Sequence, residues 1–129
     1  MNATSLAQRA YAPTAAPTRS ARSVEYDVVA RITYRLKKAI EGRKLPALLE
    51  ALDENRKLWR TLAIDVADDD NDLPDELRAR LFYLYEFTNH HTQQVIRKRV
   101  SAVPLLEINM AILRGLKNEG PVSNGHTFS

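Results

Sequence analysis

The chain has 129 residues, no cysteine, 44% hydrophobic side chains and a formal net charge of +3, which suits one compact domain able to bury a core without cross-links. The composition excludes a disulfide framework, a thiolate nucleophile and a Cys-based zinc site, and no run of about 18 apolar residues is present to span a bilayer. The pI of about 9.3 invites a nucleic-acid reading, yet the charge is divided: residues 1–44 carry nine basic and three acidic side chains, residues 45–76 three and ten, and residues 77–129 seven and three. An acidic middle suits phosphate contact poorly.

Residues 1–20 are rich in Ala, Thr and Pro, and Pro13 and Pro17 preclude a continuous helix. A mobile arm is expected, with Tyr11 as its anchor. The stretch has no apolar core of the secretory-signal kind, so a cytoplasmic location is expected.

The first helix is predicted over about 22–41, capped by Ser20 or Ser23. Val24, Val28, Ile32, Leu36 and Ile40 recur every four residues, and Gly42 is expected to end it. Arg31, Arg35, Lys37, Lys38, Arg43 and Lys44 crowd its later part, where the helix dipole tolerates cations.

The second helix, about 46–67, places Leu48, Leu52, Asn55, Trp59, Leu62 and Val66 on one stripe, and Pro46 fits its first turn. It carries the only tryptophan. Asn55 stands where an aliphatic would pack better; an unsatisfied buried amide costs about 1–3 kcal/mol, so an internal partner is expected for it.

The following ADDDNDLPDE puts Asp68, Asp70 and Asp72 at the first, third and fifth positions of a calcium loop. The sixth is Leu73 instead of Gly and the twelfth Ala79 instead of Glu, which rejects an EF-hand. A solvated turn is expected, closed by Asn71 or Asp72.

The third helix, about 74–98, opens on Pro74, Asp75 and Glu76 and closes on basic residues, as its dipole favours. Leu77, Leu81, Leu84 or Tyr85, Thr88, His91 or Thr92, and Val95 share a face, broadened by Phe82, Phe87 and Ile96. Glu86 and His90 supply two ligands where a catalytic zinc needs three, and His90 and His91 diverge by about 100°. No metal is expected; His91 reads as a hydrogen-bonded residue at the core edge.

The fourth helix, about 104–116, sets Leu105, Asn109, Ile112 and Leu116 on one face with Leu106, Ile108 and Leu113 beside them. It is apolar nearly all round, so it is either central or partly an exposed docking surface. Residues 117–129 have turn composition and are expected to be disordered.

The chain thus reads as an all-α bundle of about four helices, one domain over 21–116. No Gly-rich phosphate loop, His-rich metal pattern or nucleophile elbow is present. No side chain is assigned a catalytic role, no cofactor is expected, and an enzyme is not expected.

The stretch LDENRKLWRTLAIDVADDDNDLPDELRARL resembles the signature of the FlaF family of flagellar regulators. The resemblance is carried by Leu52, Asp53, Asn55, Arg56, Leu58 and Trp59, then Asp65, Asn71, Leu73, Pro74, Leu77 and Arg78, with His91, Thr92, Asn109, Gly115 and Leu116 further on. It spans roughly residues 11–116. Such a resemblance implies a small helical protein that promotes flagellin synthesis and secretion as a chaperone-like partner of flagellin, in concert with the regulator FlbT.

Surplus hydrophobicity between the third and last helices marks Phe87, Ile96, Ile108, Ile112 and Leu116 as candidate flagellin contacts. A second reading is RNA binding, a post-transcriptional action on the flagellin message through the basic first helix and Arg97 to Arg99. A third is a structural adaptor or half of a dimer.

Overall fold

In the computed structural model, which describes residues 21–118 and side chains over 25–116, the chain forms α1 (Ala21–Gly42), α2 (Leu45–Ala67), α3 (Asp75–Lys98) and α4 (Val103–Asn118). Among the described residues there is no strand. The expected bounds agree to within about two residues, the usual latitude at helix ends. The arm at 1–20 and nearly all of the tail at 117–129 lie outside the described residues.

Leu36 and Ala39 of α1 are buried in one cluster with Ala51 and Leu52 of α2, and Arg35 Nη1 donates to Glu54 Oε2 at 2.7 Å. Both contacts make α1 and α2 an antiparallel hairpin. α1 ends at Gly42 as expected, and the left-handed residue that follows is Arg43, with φ 56°. The physical reason is that α2 already begins at Leu45, so the reversal must be completed by Arg43 and Lys44.

At the other end, α2 stops where Asp68 turns to an extended backbone. The acidic turn is held by side chains as well as backbone. Asp68 Oδ1 accepts from Asp70 N–H, and Asn71 Oδ1 accepts from Leu73 N–H, each at 2.9 Å. Asn71 closes the turn by bonding its own backbone two residues on. Pro74 is the residue just before α3, and Asp75 and Glu76 occupy its first turn.

The chain reverses again at Arg99, left-handed at φ 58°, whose N–H returns to Val95 O at 3.0 Å. Ser101 Oγ then accepts the Val103 N–H that opens α4. Val95, Ala102 and Leu105 complete the cluster begun by Leu36 and Leu52, with Ile40, Leu48 and Leu106 packed against it. Full burial of Leu36, Leu52 and Leu105 contributes about 1.5–3 kcal/mol each.

The result is an up-down-up-down bundle in which α2 packs against α1 and α3, and α4 returns along α1. The pair α3–α4 is the most loosely packed of the neighbours. The turns also separate charge: Arg43, Lys44, Arg97, Lys98 and Arg99 stand at one end, and Asp68, Asp69, Asp70, Asp72, Asp75 and Glu76 at the other.

Candidate partner-binding surface

A buried hydrogen-bond chain seats α4. Trp59 Nε1 donates to Asn109 Oδ1 at 2.9 Å, and Asn109 Nδ2 donates to Asn55 Oδ1 at 2.8 Å. All three side chains are 0–1% exposed. Asn55 has the internal partner its burial demands, and the partner stands on the last helix. One amide therefore ties α4 to two positions of α2 a turn apart, which sets the register of α4 along the bundle.

Around this chain the core is polar. Thr33, Thr88 and Thr92 are buried as well, and Thr92 Oγ1 donates to Thr88 O at 2.6 Å within α3. Thr33 Oγ1, Thr88 Oγ1 and Asn55 Nδ2 make no hydrogen bond. Periodicity marks Thr88 and either His91 or Thr92 as core positions, and it is Thr92 that is buried; burial of Thr33 lacked such a signal, because the aliphatic ladder of α1 runs one position away from it.

Arg78 is held by backbone carbonyls. Its Nε donates to Val66 O at 2.8 Å and its Nη2 to Asp68 O at 2.9 Å, with a longer contact from Nη1 to Asp75 Oδ1 at 3.4 Å. The planar fork thus closes the last carbonyls of α2. Val66, Ala67, Asp75, Arg78, Ala79 and Phe82 line a shallow open groove of about 340 Å³ there. Leu73 is half-buried and Pro74 exposed.

His91 sits at the core edge. Its Nε2 lies 2.8 Å from Ser101 O, and since a carbonyl only accepts, that nitrogen carries the proton. Phe87 stacks on the His91 ring, centroids 5.4 Å apart. His90 is exposed. Among the described residues no three His, Asp or Glu side chains are grouped as a metal site would need.

The five candidate contacts fall as follows. Phe87, Ile108, Ile112 and Leu116 are half-buried, and Ile96 is 40% exposed. Phe87 and Ile96 are nine positions apart, which at about 100° per residue sets them on opposite sides of α3. Phe87 lies on the His91 side, toward the α3–α4 turn, whereas Ile96 shares the Arg78 side, toward α2. Ile112 and Leu116 continue the Leu105 and Asn109 stripe. Arg56, from the family signature, is half-buried.

Exposed large apolar side chains gather elsewhere: Leu45, Leu49, Val100 and Val103 near the basic end, Ile64, Phe82 and Tyr83 near the acidic end, and Met110 on α4. Phe82, which the sequence places beside the apolar face of α3, is 38% exposed.

The family model described as flagellar protein FlaF matches residues 7–116. No curated protein and no solved structure matches the chain.

Proposed function

This chain belongs to the FlaF family of flagellar proteins, and from that we propose that it acts in flagellum biosynthesis as a non-enzymatic binder of flagellin. In this reading it holds newly made flagellin in the cytoplasm for secretion, supports its synthesis, and works in concert with FlbT.

The observation that carries the reading is the loose α3–α4 seam. α4 is anchored to α2 by Asn109 and packs along α1, while its contact with α3 is slight. Phe87 on α3 and Ile108, Ile112 and Leu116 on α4 are left half-buried. A terminal helix of flagellin laid along this seam would complete their burial, which is the physics of helix-in-groove recognition. Ile96 stands on the other flank of α3 and would contact flagellin only at the end of the seam.

Calorimetric titration with flagellin monomer tests the reading. Saturable binding with a negative heat-capacity change is expected, as apolar burial requires. Ile108→Asp, in a protein still helical by circular dichroism, is expected to weaken binding about 100-fold, a loss of the size that truncated anchor residues give. Undiminished binding by that variant would sink the placement, and absence of binding by the unaltered protein would sink the reading.

RNA binding is a second reading, supported by Arg31, Lys37, Lys38 and Arg97 to Arg99, which are exposed. Its signature is an affinity that falls steeply with salt, because each neutralised phosphate releases counterions. A flat salt response excludes it.

A further inference from the structure

One end of the bundle combines features that a merely solvated helix end does not need. Leu45 and Leu49 at the start of α2, Ile96 and Val100 at the end of α3, and Val103 at the start of α4 are each 39–40% exposed. They come from three helices but stand at the same end, where Val95, Ala102 and Leu105 close the core beneath them. Around them are the exposed cations Lys37, Lys38, Arg43, Lys44, Arg97, Lys98 and Arg99. None of these pairs with a carboxylate among the described residues. Glu41, Glu50 and Glu107 are the nearest acids along the chain.

Two further features accompany this charge. Among the described residues, both left-handed positions that are not glycine, Arg43 and Arg99, lie at this end, one in each turn. Glycine takes that conformation without the Cβ clash that arginine incurs, so the strain is retained where an arginine is presented. In addition, α2 starts on Lys44 with no side-chain cap and no acidic residue in its first turn. Its free N–H groups offset the negative ends of α1 and α3, which lie at the same end of the bundle.

We propose that this end is a docking surface for an acidic amphipathic helix of a partner protein. The aliphatic side chains receive the helix's apolar ridge, and the arginines and lysines pair with carboxylates on its flanks. Charge complementarity selects this occupant, and the apolar component disfavours others. A single-stranded RNA would need several aromatic stacking platforms, and Tyr34, with Lys38 Nζ 6.0 Å from its ring centroid, is the one exposed aromatic beside these cations among the described residues. A membrane surface would favour Trp or Tyr at the rim, and neither is present in 41–50 or 95–104. The surface shares only Ile96 with the proposed flagellin contacts and otherwise lies at the end of the bundle, so its cations and Leu45, Leu49, Val100 and Val103 can be tested apart from the flagellin reading.

The test uses the full chain and two labelled synthetic helices of about 20 residues, long enough to present an i, i+3, i+4, i+7 ridge. They carry the same leucine ridge, one flanked by glutamates and the other by lysines. Fluorescence anisotropy is expected to show saturable binding of the glutamate helix alone. The double variant Arg43→Gly with Arg99→Gly removes charge while relieving the left-handed strain. It is expected to keep or raise the melting temperature and to weaken the glutamate helix about tenfold or more, as loss of two complementary charges does. Leu49→Ser is expected to weaken it as well. Equal binding of both helices, or unchanged affinity in the double variant, overturns the proposal. So does tighter binding of an RNA oligonucleotide or of phosphatidylglycerol vesicles than of the glutamate helix. Flagellin titrated in parallel separates the two surfaces: retained flagellin binding by the double variant leaves the seam untouched.

Discussion

Asn109 does the work of two residues, since one amide accepts from the Trp59 indole and donates to Asn55. Replacing it by Leu keeps volume but orphans a buried N–H and a buried carbonyl, so Asn109→Leu is expected to cost about 2–6 kcal/mol in urea unfolding, from a penalty of about 1–3 per stranded group. A loss under about 1 kcal/mol would mean that water reaches the site. The opposite sign is expected for the buried threonines. Thr33 Oγ1 and Thr88 Oγ1 have no partner, so Thr33→Val and Thr88→Val remove a desolvated hydroxyl at nearly constant shape. Each is expected to stabilise by about 1 kcal/mol, and a destabilised valine variant would contradict the unpaired hydroxyl. That Asn55 needs a partner was legible, because a buried amide on an aliphatic stripe must be paid for. Its identity was not: Asn109 lies 54 positions away, and no local pattern links residues at that range.

Helix ends are where local reading and structure part. Gly42 has helical backbone and open space where a Cβ would stand, so Gly42→Ala is expected to stabilise by about 0.5–1 kcal/mol, the helix-interior difference between the two residues. Were Gly42 the left-handed residue, the same change would destabilise. Thermal melts of Gly42→Ala and Arg43→Gly, both expected to rise, decide between the two placements. At the other turn, Arg78 joins α3 to the end of α2 through two carbonyls. Lysine keeps the charge but lacks the fork, so Arg78→Lys is expected to lose about 1–2 kcal/mol, most of what Arg78→Ala loses. Equal stability of Arg78→Lys and the unaltered protein would reduce the contact to charge alone. The extents of α2 and α3 were readable from periodicity, Pro46 and Pro74, because those signals act within a turn or two. Which residue reverses the chain depends on where the next helix must begin.

The bundle as a whole depends on α4, although α4 is its shortest helix. It brings Leu105 and Asn109 into the centre, both 0% exposed. Ending the chain at residue 102 is expected to abolish cooperative unfolding by calorimetry, since the loss approaches the 5–15 kcal/mol that holds a domain of this size. A surviving sharp transition would make α1–α3 an independent unit and α4 a displaceable cover. The sequence by itself determined the all-α class, the helix order, the main apolar stripes and the family, because helical period and a signature stretch are local properties. Only the tertiary structure decided that Asn109 joins Asn55 to Trp59 and that the cations gather at one end. Those facts arise when antiparallel helices bring distant positions level with one another, and pairing of that kind is settled by packing among all the helices together.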